Sequence, residues 1–327
     1  MTAALLLAAY VVAAGSGGAT ALSRWTWINR APRCGILAWQ ALSFSVVLAG
    51  FLAAVALALP FLPLRYAVAD LFGAHTLTVI EHYATPLGPW PGIAALTVVA
   101  FLATKLALTT ARRIRRADQA RRAQRKALAL VGHQHPEGFI VIEHAEPVAY
   151  CLPGGAGHPD RHGTVVLSTA ALALLTDDER HLVLGHERRH LRARHDLALA
   201  CADALRTTFP RVAVFAAAHR EIAVLVEMAA DDAASTARER RTLAQALVAL
   251  GTGTRPEVAL GASDTAAVQR VRRLTAPVPR RRAGQGSMVA AAALAVLSLP
   301  VSIALAPAVE AATRDCCAIA PLAIEPS

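Results

Sequence analysis

A chain of 327 residues with 55% hydrophobic and only 17% charged positions is too apolar for an ordinary soluble enzyme. Its formal net charge of +10 invites a nucleic-acid reading. The main basic run directly follows an apolar stretch and has no aromatic residue interleaved, so a membrane surface fits it better and no direct contact with nucleic acid is expected.

Residues 3–22 form the first uncharged run long enough to cross a bilayer as a helix. A cleavable signal peptide is the rival reading, with Ala19-Thr20-Ala21 before Leu22, but such peptides begin with a basic region and no charged residue precedes Arg24. Arg24, Arg30 and Arg33 follow, then a second uncharged run at 36–60. The loop 61–90 carries Arg65 as its only arginine or lysine. Its Leu71, Phe72, Leu77, Val79, Ile80 and Tyr83 can lay an apolar face on the outer surface, with Trp90 at the interface. The third run, 91–110, holds one charge, Lys105, placed where its stem can snorkel outward.

Arg112, Arg113, Arg115, Arg116, Arg121, Arg122, Arg125 and Lys126 come directly afterwards and read as a helix lying on anionic headgroups. Arg280, Arg281 and Arg282 precede a fourth run at 288–309, within 285–309, and only Arg314 lies beyond it. This asymmetry predicts an outside N-terminus, a cytoplasmic segment 111–284 and a short outside tail at 310–327. The expected fold is a mainly α integral membrane protein: three spans in 1–110, an α+β domain at 111–284, and a fourth span.

The cytoplasmic segment is one domain's worth of chain. It opens with strand-like pieces at 139–142, 147–152 and 164–168, with a turn-rich loop at 153–157. It then turns helical, with breaks at Pro210, 251–256 and 277–279. Five cysteines are too few and too dispersed for a disulfide framework. Cys151 and Cys201 read as core residues in a reducing compartment, and Cys34 lies on the same side. Cys316-Cys317 falls on the outer tail without an assigned role.

Within the helical part stands His186-Glu187-Arg188-Arg189-His190. Residues four apart share a helix face, so His186 and His190 can offer two imidazoles to one zinc ion. Glu187, turned about a third of the way round, can act as general base toward water and return the proton to a leaving amine. Thr176-Asp177-Asp178-Glu179 is a capping box that starts this helix, with Thr176 at the N-cap and Glu179 at N3.

A catalytic zinc needs a third protein ligand. His195, Asp196, His219, Glu221, Glu227 and Asp231 are the downstream candidates. Asp196 has the spacing of the HExxHxxGxxH pattern, but Ala193 replaces the glycine that its sharp turn usually uses. Glu227 lies on a mostly apolar helix, where a buried carboxylate needs a partner such as zinc. Asp231, one turn on, can accept the free ring N–H of a ligating histidine. The alternative makes Glu227 and Asp231 a surface pair on an amphipathic helix.

HExxH followed by Glu-x-x-x-Asp resembles the gluzincin metallopeptidases. Thr164-Val165-Val166-Leu167-Ser168, the His186 to Asp196 stretch and Val268-Gln269-Arg270-Val271-Arg272-Arg273-Leu274 resemble the BlaR/MecR-like family of bacterial membrane zinc peptidases. That resemblance implies His186, His190 and Glu227 as zinc ligands, Glu187 as base and Asp231 behind a histidine. It implies the Val165 strand as the edge that accepts a substrate peptide. It also implies a bacterial cell membrane location and a winged-helix repressor as the cytoplasmic substrate. No serine stands three residues before Lys105 or Lys126, the only lysines, so a penicillin-binding S-x-x-K sensor is not expected. Membrane-protein quality control of the HtpX type and a catalytically silent sensor or scaffold are the competing readings.

Overall fold

The computed structural model describes residues 1–25, 27–154, 163–253, 263–277 and 284–318. Residues 155–157 of the turn-rich loop, the breaks at 254–256 and 278–279, Arg280 to Arg282 and the tail from 319 lie outside the described residues, as do the side chains of Cys316 and Cys317.

The chain begins with one continuous helical rod. α1 (Thr2–Val12) widens into a π-helical stretch at Ala13–Gly18 and resumes as α2 (Ala19–Arg24). The widened stretch holds three glycines, poor α-formers. A connector, α3 (Trp27–Arg30), leads to α4 (Pro32–Ala58), where Pro32 occupies the first turn and removes only an N–H that had no partner. Then come α5 (Leu64–Phe72), α6 (Thr76–Tyr83) and α7 (Trp90–Val131). At the far end α14 (Gln285–Ala318) contains Pro300 and Pro307. By length and composition four helices can cross a membrane, Thr2–Arg24, Pro32–Phe61, Trp90–Val131 and Gln285–Arg314, each over one of the predicted apolar runs.

The loop 61–90 is an ordered cap rather than a loose connector. Ala69, Val79 and Tyr83 are buried with Ala3, Ala56 and Ala308, while Leu71 and Leu77 stay exposed. The Tyr83 hydroxyl donates to the Ala304 carbonyl of α14 at 2.6 Å.

The basic segment is not a separate helix. α7 runs unbroken through it for 42 residues, about 63 Å at 1.5 Å per residue. Arg113 pairs with Asp203, Arg121 with Asp196 and Arg125 with the Pro153 carbonyl. The Lys105 ammonium donates to the Thr208 carbonyl at 2.8 Å, capping the end of another helix.

The sheet has four strands: β1 (His133–Gln134), β2 (Ile140–Ile142), β3 (Ala149–Leu152) and β4 (Thr164–Ser168), in the order β1-β2-β4-β3. β4 pairs parallel to β2 and antiparallel to β3. The Val165 strand is therefore interior and cannot be the peptide-accepting edge expected from sequence. Val165, Val166 and Leu167 are all buried, as a strand covered on both faces requires. Among the described residues the sheet has two edge strands, the two-residue β1 and β3, and β3 is the one that lies beside the helix carrying Glu187.

The helical body follows as α8 (Thr169–Leu174), α9 (Asp177–Ala193), α10 (His195–Thr208), α11 (Ala213–Ala234), α12 (Arg240–Gly253) and α13 (Ser263–Thr275). α9 starts with the predicted capping box, both of its reciprocal bonds present. The hairpin of α10 and α11 packs among the apolar helices instead of standing apart. Ile28, Trp39 and Val46 share one core with Leu205, Val214, Phe215, Ile222 and Leu225. Gly35 permits the closest approach, because a Cβ there would sit 2.4 Å from Ile28 Cγ2 and 3.0 Å from Leu225 Cδ1. This shared core settles where α11, and with it the candidate site, is held.

Candidate metal centre

α9 and α11 pack against each other and bring His186, His190 and Glu227 together. His186 Nε2 and His190 Nε2 are 3.1 Å apart, and Glu227 approaches them with Oε2 at 3.4 Å and Oε1 at 3.5 Å. Ligands held about 2.0–2.1 Å from a tetrahedral ion are about 3.3 Å from one another. The two imidazole nitrogens, each with a carboxylate oxygen of Glu227 beside it, are spaced like neighbouring corners of such a tetrahedron, so the trio fits a zinc ion. No other trio of candidate ligands occurs among the described residues.

Each imidazole is backed at its other nitrogen. His186 Nδ1 lies 3.0 Å from Asp231 Oδ1, a close ion-pair contact whose alignment falls short of a hydrogen bond. Asp231 is fully buried, which removes the surface-pair reading for it. His190 Nδ1 lies 3.0 Å from His195 Nδ1. With Nε2 free for a metal, His190 donates its Nδ1 hydrogen to His195. Sequence reasoning counted His195 only as a possible ligand. The sharp turn denied to Ala193 is made by Arg194, in the left-handed region at φ 50°, at about 1–2 kcal/mol for a non-glycine residue. That turn delivers His195 to the site, while Asp196 points to Arg121 and Arg194.

A cation absent from the expected site completes it. Arg270 of α13 grips Asp231 with Nε at 2.9 Å and Nη2 at 2.7 Å, and its Nη1 is 2.9 Å from Glu227 Oε2. Its only sequence signal was its place in the Val268 to Leu274 phrase. Burial opposes charge on both carboxylates. His186 and Arg270 outweigh that opposition at Glu227, as Arg270 and His186 do at Asp231, and hold both at about 2. Burial also opposes charge on His186, but Asp231 and Glu227 push its pKa up to about 9. Burial and the His190 charge push His195 down to about 4.

Glu187 sits outside the donor trio, on the side of α9 facing β3. Burial raises its pKa, partly offset by His186, which suits a group that both takes and returns a proton. Cys151 of β3 lies against it. Burial and the Glu187 charge push that thiol up to about 12, so it remains a neutral donor. Sequence reasoning placed Cys151 in the core, and nothing local in the sequence ties it to Glu187.

No curated protein and no solved structure matches the chain. Residues 114–254, from the basic half of α7 to the end of α12, match the model of peptidase family M48, a family of typically metal-dependent peptidases. The matched stretch contains His186, Glu187, His190, Glu227 and Asp231, while Arg270, which binds Glu227 and Asp231, lies beyond it.

Proposed function

We propose that this protein is a membrane-anchored zinc metalloendopeptidase with its site on the cytoplasmic side of a bacterial cell membrane. The observation that carries the reading is the tetrahedral spacing of His186 Nε2, His190 Nε2 and the Glu227 carboxylate. Zinc bound there supplies a Lewis acid that polarises a carbonyl and makes water more acidic. Glu187 takes the proton of the attacking water and delivers it to the leaving amine. His195 and Asp231 fix the ring orientations of His190 and His186. An extended substrate adds to the open edge of β3, which leads its scissile bond past Cys151 toward Glu187.

The finer reading is a regulatory peptidase of the BlaR/MecR-like kind that cuts a winged-helix repressor. The shared core between the apolar helices and α11 supports it, because a change in the membrane helices reaches the ligand-bearing helix directly. The quality-control reading predicts cleavage of many damaged membrane proteins instead, which proteomics of membranes with and without the peptidase would distinguish. Arg112, Arg115, Arg116 and Lys126, which have no acidic partner among the described residues, face anionic lipid in this reading.

The full chain in detergent should bind about one zinc ion. His186→Ala, His190→Ala and Glu227→Ala should each lose it by metal analysis after dialysis, and Asp196→Ala should keep it. Zinc kept by Glu227→Ala and lost by Asp196→Ala would reverse the ligand assignment.

A second expectation concerns pH. Zinc needs neutral His186, so in the metal-free protein its proton must leave on binding. With that pKa near 9, the proton competes below pH 9, and affinity falls about tenfold for each pH unit downward. Zinc titrations should give binding about 100-fold weaker at pH 6 than at pH 8, with proton uptake by the buffer. A flat profile would mean that His186 is already neutral without metal.

A further inference from the structure

α13 carries a second arginine one turn beyond Arg270, and its partners lead away from the site. Arg273 holds Asp232 with Nη1 at 2.8 Å and Nη2 at 2.6 Å, and its Nε donates to the Asn29 carbonyl at 2.7 Å. Asn29 belongs to α3, the connector between the first two apolar helices. Asp232 adjoins Asp231 on α11, and Arg240 fastens the same corner by donating to Asp232 Oδ1 at 3.0 Å and to the Arg273 carbonyl at 2.8 Å. Both members of the Arg273–Asp232 pair are largely buried.

All three nitrogens of one planar guanidinium are thus engaged, two on the helix that presents Glu227 and Asp231 and one on the membrane connector. A lysine has neither the fork nor the reach to make both contacts at once. Ile28, beside Asn29, is itself packed in the core with Leu225. We propose that Arg273 is a positioning residue for the metal centre, locking the end of α11 and α13 to the connector α3, so that the place of the connector sets how well Glu227 and His186 are held. The inference rests on the metal-centre reading above and adds a route by which the membrane helices regulate it.

The test uses the full chain in lipid nanodiscs and zinc alone as probe. Arg273→Gln and Arg273→Lys should each weaken zinc binding by roughly 10–100-fold, the range for lost supporting contacts, while thermal unfolding of the metal-free protein stays within a few degrees. A glycine inserted after Arg30 should weaken binding similarly in the parent and cause no further loss in Arg273→Lys. Unchanged affinity in both Arg273 variants, or insertion and substitution effects that simply multiply, would overturn the proposal. Should Arg273→Gln fail to fold, Arg273→Lys and the insertion decide it. A parent chain without zinc would overturn the metal centre as well, whereas a zinc-binding parent with insensitive variants sinks only this inference.

Discussion

Glu187→Gln should leave zinc bound at about one per chain and lower peptide cleavage by roughly 10²–10⁴-fold, the usual loss for a general base. The substitution keeps the volume of the side chain and removes only its capacity to take a proton. Glu187 contributes no donor to the His186, His190 and Glu227 trio, so metal affinity should be largely unaffected. Burial raises its pKa while His186 pulls it down. The neutral Cys151 thiol beside it can donate to glutamine oxygen as it does to a carboxylate, which preserves the local packing. Metal analysis and single-turnover cleavage of a quenched peptide on the same preparation separate the two effects. Near-normal turnover in a zinc-loaded variant would place the proton transfer on another group.

What was legible in the sequence is what repeats within one element. The i, i+4 spacing of His186 and His190, the Thr176 capping box and the Glu227 to Asp231 spacing each follow from helix geometry alone. The bounds of β4 are local too, an apolar run that ends in Ser168, which caps the next helix. What was not legible depends on how elements meet. β4 became an interior strand because β2 joins it in parallel from 26 residues earlier (Ile140↔Val166), a pairing that no local pattern encodes. The acceptor of Lys105 is a helix end 103 residues away, a partner its own apolar run does not announce. Arg270 and Arg273 stood out only as part of the Val268 to Leu274 phrase, and their partners are 39 to 244 residues away. His195 was closer to reach, since it stands five residues after His190 and only the left-handed Arg194 hides the turn that returns it.

The segment 111–284, expressed without the apolar helices, should not reach a native fold or bind stoichiometric zinc, although its length suits an independent domain. Val214, Phe215, Ile222 and Leu225 are each no more than 2% exposed in the full chain. Their core is completed by Ala14, Leu22, Ile28, Trp39 and Val46, all of which the excised segment lacks. Fully uncovering a large apolar side chain costs about 1.5–3 kcal/mol, so these four lose up to roughly 6–12 kcal/mol. A domain's entire stability is only about 5–15 kcal/mol. The segment also loses Lys105 and Thr109 from the end of α10, and the Asn29 carbonyl from Arg273. Near-ultraviolet circular dichroism and size-exclusion chromatography should show a loosely packed or aggregated chain, with zinc far below one per molecule. Adding residues 1–62 back as a co-expressed fragment should restore both properties, because α1 to α4 supply that half of the core. A monodisperse, zinc-loaded 111–284 would mean that the α10–α11 hairpin is stable by itself and that its place among the apolar helices is incidental to the site.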